Sequence, residues 1–557
     1  MSEAERWTVR LDGGTLPDRS LIGGKAWSIA RMRQLGLPVP PAFAITTKAC
    51  LATLEAGDFP DGLEDEIGAG VAWLEQQTGR GFGSEQRPLL LSVRSGAAIS
   101  MPGMMDTILN LGIDQHSEEA LARETGLPAF AADTKRRFSE LYRSIVLKDE
   151  AAPLPGSIHQ QLIGGVRAVF ESWNTRRAKR YREHHGIAHD LGTAVTIQAM
   201  VFGNLDDDSG TGVLFSRNPL TGEPRPYGEY LPRAQGEDVV SGKFTPLALD
   251  ELHRLMPAVH AELLAATDRL EAENRDIQDI EFTVQSGKLY LLQARSAKRA
   301  PAAAVRAAID MVDEGLIDRA TALGRVSAEQ VRTLLLPRLK EGADDGATLL
   351  AKGEGACPGV ASGVFVTDPD EAERRAAAGE DVILLRATTS PDDIHGMIAA
   401  RAVVTEQGGS TSHAAVVSRA LGRPCVVGIG DASSASAGAL VTVNGAAGLI
   451  YEGALALEVP DERADPRLAT LAEWAQEASA VRVIRSGSAS RAVGVDLDQA
   501  LSGGEPFDLA TLLNGATSAS GAMLSDPDNA RVAVSSGITE IVTNPILPAL
   551  LATIEAR

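Results

Sequence analysis

The chain has 557 residues, 44% apolar and 23% charged, and 53 Lys+Arg against 74 Asp+Glu leave a net charge of -21. That length has room for about three or four domains of roughly 150 residues, and the acidic balance disfavours nucleic acid and anionic membranes as partners. Any phosphate-bearing ligand has to be held by local groups, such as backbone N–H arrays, a few Arg or Lys and metal, rather than by overall charge. The three cysteines, Cys50, Cys357 and Cys425, are far apart in sequence and form no C-x-x-C pair, which points to a reduced compartment. The start, MSEAERWTVRLDGG, has no basic segment followed by an apolar one, and no stretch approaches the roughly 18 unbroken apolar residues of a spanning helix. A cytoplasmic protein is expected.

In chain order, residues 1–115 mix Gly-rich turns with strand-like runs such as PLLLSV and a helical KAWSIARMRQLG, an α/β pattern. From about 116 to 192 the sequence turns helical and charged, with Phe138, Leu141, Tyr142 and Ile145 at spacings of three and four, as in a supporting helical insert. His184, His185 and His189 lie there without acidic or Cys ligands in a recognisable spacing, so they read as surface residues. Strand and turn signals return at 193–300, ending in DIEFTVQSGKLYLLQAR, a hairpin with SGK as its turn. Residues 301–353 read as a helical linker that ends in the polar, Gly-bearing EGADDGATLLAKGEG, with a boundary near 345–353. Residues 354–460 alternate short strands with one clear helix, a compact α/β unit. The remainder, 461–557, is a tail with a weak αβ pattern, whose Leu-rich ILPALLATI suits a core helix or a partner-binding one.

The most informative segment is TEQGGSTSHAAVVSRALGRPCVVG, residues 405–428. A strand ends near Glu406, a Gly pair turns the chain, and Thr411 or Ser412 can cap a helix that Gly422 ends. His413 then falls in the first helical turn, near unpaired N–H groups and the positive end of the helix dipole, which favours a neutral, nucleophilic ring and later a phosphoryl group. A structural histidine beside a Gly turn remains open from this pattern alone. Elsewhere, Lys25 follows a Gly pair at a helix start, where an ammonium can meet phosphates, though GGK lacks the longer P-loop spacing. Arg94, at the end of an apolar strand, can aim its fork at a phosphate or pair with a carboxylate. Asp279 and Glu281 share one face of a strand and can hold Mg²⁺ or make cross-strand polar pairs, and Gln293 and Arg295 share a face across the turn.

Taken together, GGSTSHAAVVSRALGRPCVVG, its approach VILLRATTSPDDIHGMIAARAVVTEQGG and the strand ACPGVASG resemble the phosphohistidine domain of the pyruvate phosphate dikinase family of phosphoenolpyruvate-utilising enzymes. GGKAWSIARMRQLGLPVPPAFAITTKAC, LLLSVRSGAAISMPGMMDTILNLG, DDDSGTGVLFSRNPLTGE, GEYLPRAQGEDVVSGKFTP and DIEFTVQSGKLYLLQARSAKR resemble that family's nucleotide-binding domain. The resemblance covers about residues 20–460 and implies an α/β multidomain protein: an ATP-grasp nucleotide-binding domain over 1–300, a linker, and a swivelling phosphohistidine domain over 354–460. It implies ATP and Mg²⁺ as cofactors, with Lys25, Arg94, Gln293 and Arg295 binding the nucleotide, Glu281 and Asp279 the metal, and His413 carrying the phosphoryl group. The Ser100–Thr107 loop resembles the family's loop over the phosphates, though its methionines also suit core filling.

The implied chemistry is β-phosphoryl transfer that leaves AMP, with inorganic phosphate converted to pyrophosphate and the histidine's phosphoryl group passed to pyruvate or another acceptor. The stretch after about residue 480 is shorter than a β/α barrel needs, so the acceptor is expected on a separate barrel-type partner or in the tail. One histidine cannot touch ATP and a distant acceptor at once, so rotation about 296–353 is expected. The competing reading is a catalytically reduced, nucleotide-responsive binding or regulatory protein.

Overall fold

The computed structural model describes residues 6–99, 101, 104–240, 244–335, 338–421, 423–430, 437–458, 460–487, 494–497 and 508–556. The amino-terminal region is built on two five-stranded antiparallel sheets. The first runs in the order Thr8–Arg10, Ala42–Ile45, Ala194–Ala199, Leu91–Gly96, Thr107–Leu111. Ala42–Ile45 and Ala194–Ala199 are buried at every position, Thr196 and Gln198 included, because the sheet is covered on both faces. On one face lie helices of the predicted insert, Pro128–Tyr142 and Ile158–Ser172, whose Phe138, Tyr142, Val166 and Phe170 pack on Leu91, Ile108 and Ile197. Each such buried side chain contributes about 1.5–3 kcal/mol, so the insert completes the core of this sheet.

The second sheet runs Lys288–Ser296, Gln278–Gln285, Gly210–Phe215, Tyr227–Pro232, Leu247–Ala248. The hairpin predicted at DIEF…LLQAR is present, with a two-residue turn: Ser286 and Gly287 have φ of 48° and 72°, and Lys288 already pairs with Gln285. That left-handed pair matches the strand twist. Helix Arg19–Gln34 lies between the sheets, with Ile22, Ala26, Ile29 and Met32 in one cluster with Ala42, Ala44, Leu214, Ile280 and Phe282. Ser28 ties it to the hairpin, donating to the Ala294 carbonyl (2.5 Å) and accepting from the Ala294 N–H (3.0 Å).

The predicted 354–460 unit is an eight-stranded mixed sheet in the order Leu349–Lys352, Leu449–Glu452, Leu440–Asn444, Val360–Val366, Val382–Arg386, Ala402–Thr405, Cys425–Val427, Glu354–Cys357. The two edge strands are separated in sequence by Gly353 alone, so the sheet curls back on itself. Phe365, Ile383, Leu385, Val404, Val426 and Val443 form one of its cores. Strand Leu349–Lys352 lies in the stretch read as linker, yet it is hydrogen-bonded to Leu449–Glu452 of this sheet. Cys357 and Cys425, distant in sequence, are cross-strand partners, and both are buried free thiols. Strands Arg338–Leu339 and Leu457–Glu458 pair as a two-stranded ribbon where the chain enters and leaves this unit, with Arg338 Nε 2.8 Å from Glu458 Oε1.

The tail, whose pattern was weak, contains a four-stranded parallel sheet in the order Arg482–Arg485, Glu540–Thr543, Ser518–Ser520, Val495–Asp496. Its last helix, Leu547–Glu555, is a core helix: Leu547, Ala549, Leu550 and Leu551 are at most 1% exposed, which removes the partner-binding alternative. Linker helices Pro301–Asp313 and Ala328–Leu334 share this core through Val305, Met311, Val331, Leu471 and Leu550. Among the described residues, no helix is long and apolar enough to cross a membrane.

Helix Arg19–Gln34 is kinked at Gly23 (φ 74°, ψ 164°), where a Cβ would stand 1.8 Å from the Gly96 carbonyl oxygen. The next N–H, of Gly24, donates to the Ala97 carbonyl at 2.9 Å. Gly23→Ala combines a left-handed backbone with a backbone clash, so it is expected to cost more than about 2 kcal/mol. A urea midpoint indistinguishable from the native chain's contradicts that requirement.

Candidate active site

The kink delivers Lys25 to the end of strand Leu91–Gly96, which carries Arg94. Arg94 Nη2 crosses to Glu281 Oε2 of the second sheet at 2.8 Å, and Arg295 Nε meets Asp279 Oδ2 at 2.8 Å. Gln293 stands opposite Glu281 in register, and Arg295 opposite Asp279. The structure thus brings Lys25, Arg94, Asp279, Glu281, Gln293 and Arg295 to one cleft between the two sheets. Desolvation, then the charge of Arg94, push the Lys25 ammonium well below its ordinary range, with Glu281 opposing. For Glu281, burial acts upward, but Arg94, Arg295 and Lys25 prevail and hold the carboxyl below its ordinary value. Asp279 is 4% exposed, and its Oδ1 is buried without a hydrogen-bond partner.

In the eight-stranded unit, helix His413–Leu421 begins at His413 itself. The capping expectation is corrected. Thr411 donates its hydroxyl to Glu229, while Ser412, whose carbonyl takes the Val416 N–H, has a buried hydroxyl with no partner. Gly422, read as the helix stop, lies outside the described residues. The loop before helix Ile394–Ala399 lies against the His413 ring, with the Ser390 backbone and the Asp393 side chain its polar neighbours. Asp393 is itself fixed by the Ser390 N–H (2.7 Å) and by Arg386 (3.1 Å). Nε2 is buried without a hydrogen-bond partner, so no neighbour claims that nitrogen in the neutral ring. Burial pushes the ring down to about 4, against the opposing pull of Asp393 and Ser390, so the ring is neutral at physiological pH.

The His413 unit is docked on the second sheet. Tyr227 Oη is 2.8 Å from Ser410 Oγ and 3.3 Å from Glu354 Oε1, and Glu229 accepts from the hydroxyls of Ser410 and Thr411. Arg419, on the His413 helix, places its guanidinium 6.0 Å from the Phe215 ring centroid. Burial, with Glu354 adding to it, raises the Glu229 carboxyl against the hydroxyl donors. Register fixes what this means. Glu229 and Glu281 both stand opposite Val213, and Tyr227 and Asp279 both stand opposite Phe215. Directly paired residues share a face and strands lie about 4.8 Å apart, so the docking pair stands roughly 10 Å from the two carboxylates on the same face.

Apolar contacts join the units as well: Ala97, Met101 and Met104 share a cluster with Ala414, Ala415, Val417 and Cys425. Of the loop read as covering the phosphates, Met101 and Met104 are thus packed beneath the His413 unit, while Ser100, Pro102 and Gly103 lie outside the described residues. The sequence reading passed over Tyr227, Glu229, Ser390 and Asp393. The S-P-D-D capping pattern marked the last two, and the strand YGEYLP, which pairs with the DIEF strand's neighbour, held the first two. His184, His185 and His189 are exposed and contribute no ligand set.

Residues 19–73 and 52–261 match the family model for the pyruvate phosphate dikinase AMP/ATP-binding domain, and residues 378–448 match that for the mobile domain of PEP-utilising enzymes. Similar curated proteins include pyruvate, phosphate dikinase of Rhizobium meliloti, 41% identical over 85% of this chain and 60% of that protein. The Clostridium symbiosum protein of the same name is 39% identical over 80% of this chain and 58% of its own length. The chloroplastic pyruvate, phosphate dikinase 1 of Arabidopsis thaliana is 40% identical over 84% and 54%. The chain thus spans somewhat more than half the length of these relatives.

A histidine that titrates near 6.5 when unfolded and near 4 when folded makes the unfolded chain the better proton binder between those values. Stability conferred by the neutral ring is therefore full above about pH 6.5 and is lost as pH falls toward 4, by no more than about 3 kcal/mol. The gap in urea midpoint between pH 7 and pH 5 should narrow in His413→Gln, and NMR should show the ring neutral at pH 5. A ring that titrates near 6.5 in the folded chain removes the effect.

Proposed function

Because the chain belongs to the pyruvate phosphate dikinase family through these two domains, we propose that it is an ATP-dependent phosphotransferase that phosphorylates its own His413. The observation that carries this reading is the shared face of the second sheet: the carboxylates Asp279 and Glu281 and the docking residues Tyr227 and Glu229 occupy the same two cross-strand rows. A neutral imidazole with a free Nε2 is presented from the unit docked there.

Lys25, Arg94, Gln293 and Arg295 would receive the phosphates of ATP, neutralising charge as phosphoryl transfer requires. Asp279 and Glu281 are hard oxygen donors, one with a buried oxygen lacking any partner, and they fit a Mg²⁺ ion, which when bound would offset phosphate charge. His413 Nε2 forms a bond to the β-phosphorus as the bond to the AMP oxygen breaks, and AMP leaves with that electron pair. The proton of the neutral ring would sit on Nδ1, which leaves the unpartnered Nε2 free to attack. Inorganic phosphate then takes the γ-phosphoryl group as pyrophosphate, and the group left on His413 passes to pyruvate or another acceptor, held by this chain or by a separate barrel-type partner.

The acceptor step requires the His413 unit to leave the nucleotide cleft. The linker helices are packed into the core of the tail, so the pivot is narrower than the 296–353 segment and lies at the ribbon of Arg338–Leu339 with Leu457–Glu458.

Incubation with β-labelled ATP, Mg²⁺ and phosphate is expected to give acid-labile label on the native chain and none on His413→Ala. If ATP binds but no label appears, the nucleotide-responsive binding protein is the better account. Glu229→Ala is expected to slow labelling by about tenfold or more with little change in ATP affinity, since it touches docking and not the nucleotide. A loss of ATP affinity equal to the loss of rate contradicts the docking role.

A further inference from the structure

On the opposite end of the amino-terminal sheets lies a cavity of about 510 Å³, within the size range of small-molecule sites. It is built from the far ends of the elements that carry the nucleotide cleft. Arg33 is eight residues beyond Lys25 on the same helix, about 12 Å along its axis. Gln285 ends the strand of Asp279 and Glu281, and Lys288 and Tyr290 begin the strand of Gln293 and Arg295. The Gln285 side chain accepts from the Phe202 N–H at 2.8 Å, tying that strand end to the cavity wall.

The lining sorts itself chemically. The Pro38–Pro41 wall contributes three proline rings without N–H donors, and its proline carbonyls are taken by Leu291 (2.8 Å), Gln198 (3.1 Å) and Ala199 (3.0 Å). An occupant there meets ring faces, together with those of Phe202 and Tyr290. Beside the neutral Gln77 and Thr78, charged recognition falls to cations. Arg80 is engaged by Glu124 at 2.8 and 2.9 Å, but Arg33 has a buried Nε with no acceptor, and Lys288 stands 5.2 Å from the Tyr290 ring with no carboxylate paired to it among the described residues. Against these three cations, Asp12 is the one carboxylate in the lining, and it already accepts from the Gly14 N–H. Desolvation lowers the Arg33 guanidinium, with Asp12 opposing. A local excess of positive charge beside apolar ring faces, in a chain of net charge -21, matches an anion that also carries a flat apolar body.

We propose that this cavity is a second ligand site, for a small organic anion bearing a flat ring, and that its occupancy is linked to nucleotide affinity through the helix and the hairpin it shares with the cleft. Linkage is reciprocal, so a nucleotide analogue must respond to the occupant. The site does not depend on the phosphotransfer reading, because its test is binding.

The probe is phenylphosphate, titrated calorimetrically into the full chain with and without a saturating non-hydrolysable ATP analogue. One equivalent is expected to bind with the analogue present, at least tenfold more tightly than inorganic phosphate. Arg33→Met combined with Lys288→Met should weaken it at least tenfold, and in the native chain phenylphosphate should shift the affinity for the analogue at least twofold. Lys288 is exposed, so Lys288→Met alone serves should the double variant fail to fold, with a threefold or greater loss expected. Binding abolished by the analogue places the probe in the nucleotide cleft and overturns the proposal, as does unchanged affinity in the charge-removed variants or no binding at all.

Discussion

Five charged side chains share the cleft between the two antiparallel sheets, and their mutual neutralisation is the condition on which the amino-terminal architecture rests. Arg94 is 12% exposed and Glu281 29%, and Asp279 behind Arg295 is more deeply buried still. Pairs of this kind add little net stability, because desolvation cancels most of their attraction, but removing one partner leaves a buried charge exposed to no solvent and no counter-ion. The set therefore has to be kept whole or given up whole. Its members come from the kinked helix, from one sheet and from the other, so the cleft also fixes how those three parts meet. An entering polyanion offers its phosphates to the cations, and the carboxylates they release, Asp279 and Glu281, then need a cation of their own.

The docked histidine unit follows the same electrostatic logic with the opposite sign. Glu229 and Glu354 face each other around Ser410, and hydroxyl and backbone donors, with the Arg419 charge, keep that concentration of carboxylates tolerable. Asp393 stands close enough to bias the His413 ring. On the phosphotransfer reading, a phosphoryl group arriving at His413 adds negative charge to a neighbourhood already rich in it. The chemical step then weakens the arrangement that permitted it, and release toward an acceptor needs no separate trigger.

Much of this was legible in the residues because local rules and family resemblance agreed. The alternation of Asp279 with Glu281 and of Gln293 with Arg295 gave the shared face directly, and register confirmed the pairing. The GGK segment was placed well for a reason that was not visible: Gly23 is required by contact with Gly96, which lies 73 residues away in sequence. The capping reading of Thr411 failed because a hydroxyl that could serve its own helix was claimed by Glu229 across a domain boundary. Tyr227 and Glu229 were missed on the same grounds, since nothing local distinguishes a docking residue from any other in a half-buried strand. The tail's parallel sheet was hidden by short strands, two of only two or three residues, that give little periodicity to read.

If the His413 unit moves as the phosphotransfer reading requires, the ribbon formed by Arg338–Leu339 and Leu457–Glu458 sets how far it goes. A body hung on two separate tethers samples a volume set by both lengths, whereas two strands hydrogen-bonded to each other act as one short stalk. Such a stalk twists far more readily than it stretches, so on the phosphotransfer reading the histidine would be confined to something close to an arc. Confinement of that kind raises the local concentration of the reactive nitrogen at either end of its path above what a flexible chain of the same span would give. The curled eight-stranded sheet adds to this, because a unit with a continuous core would move as a rigid cargo and deliver the ring in a fixed orientation.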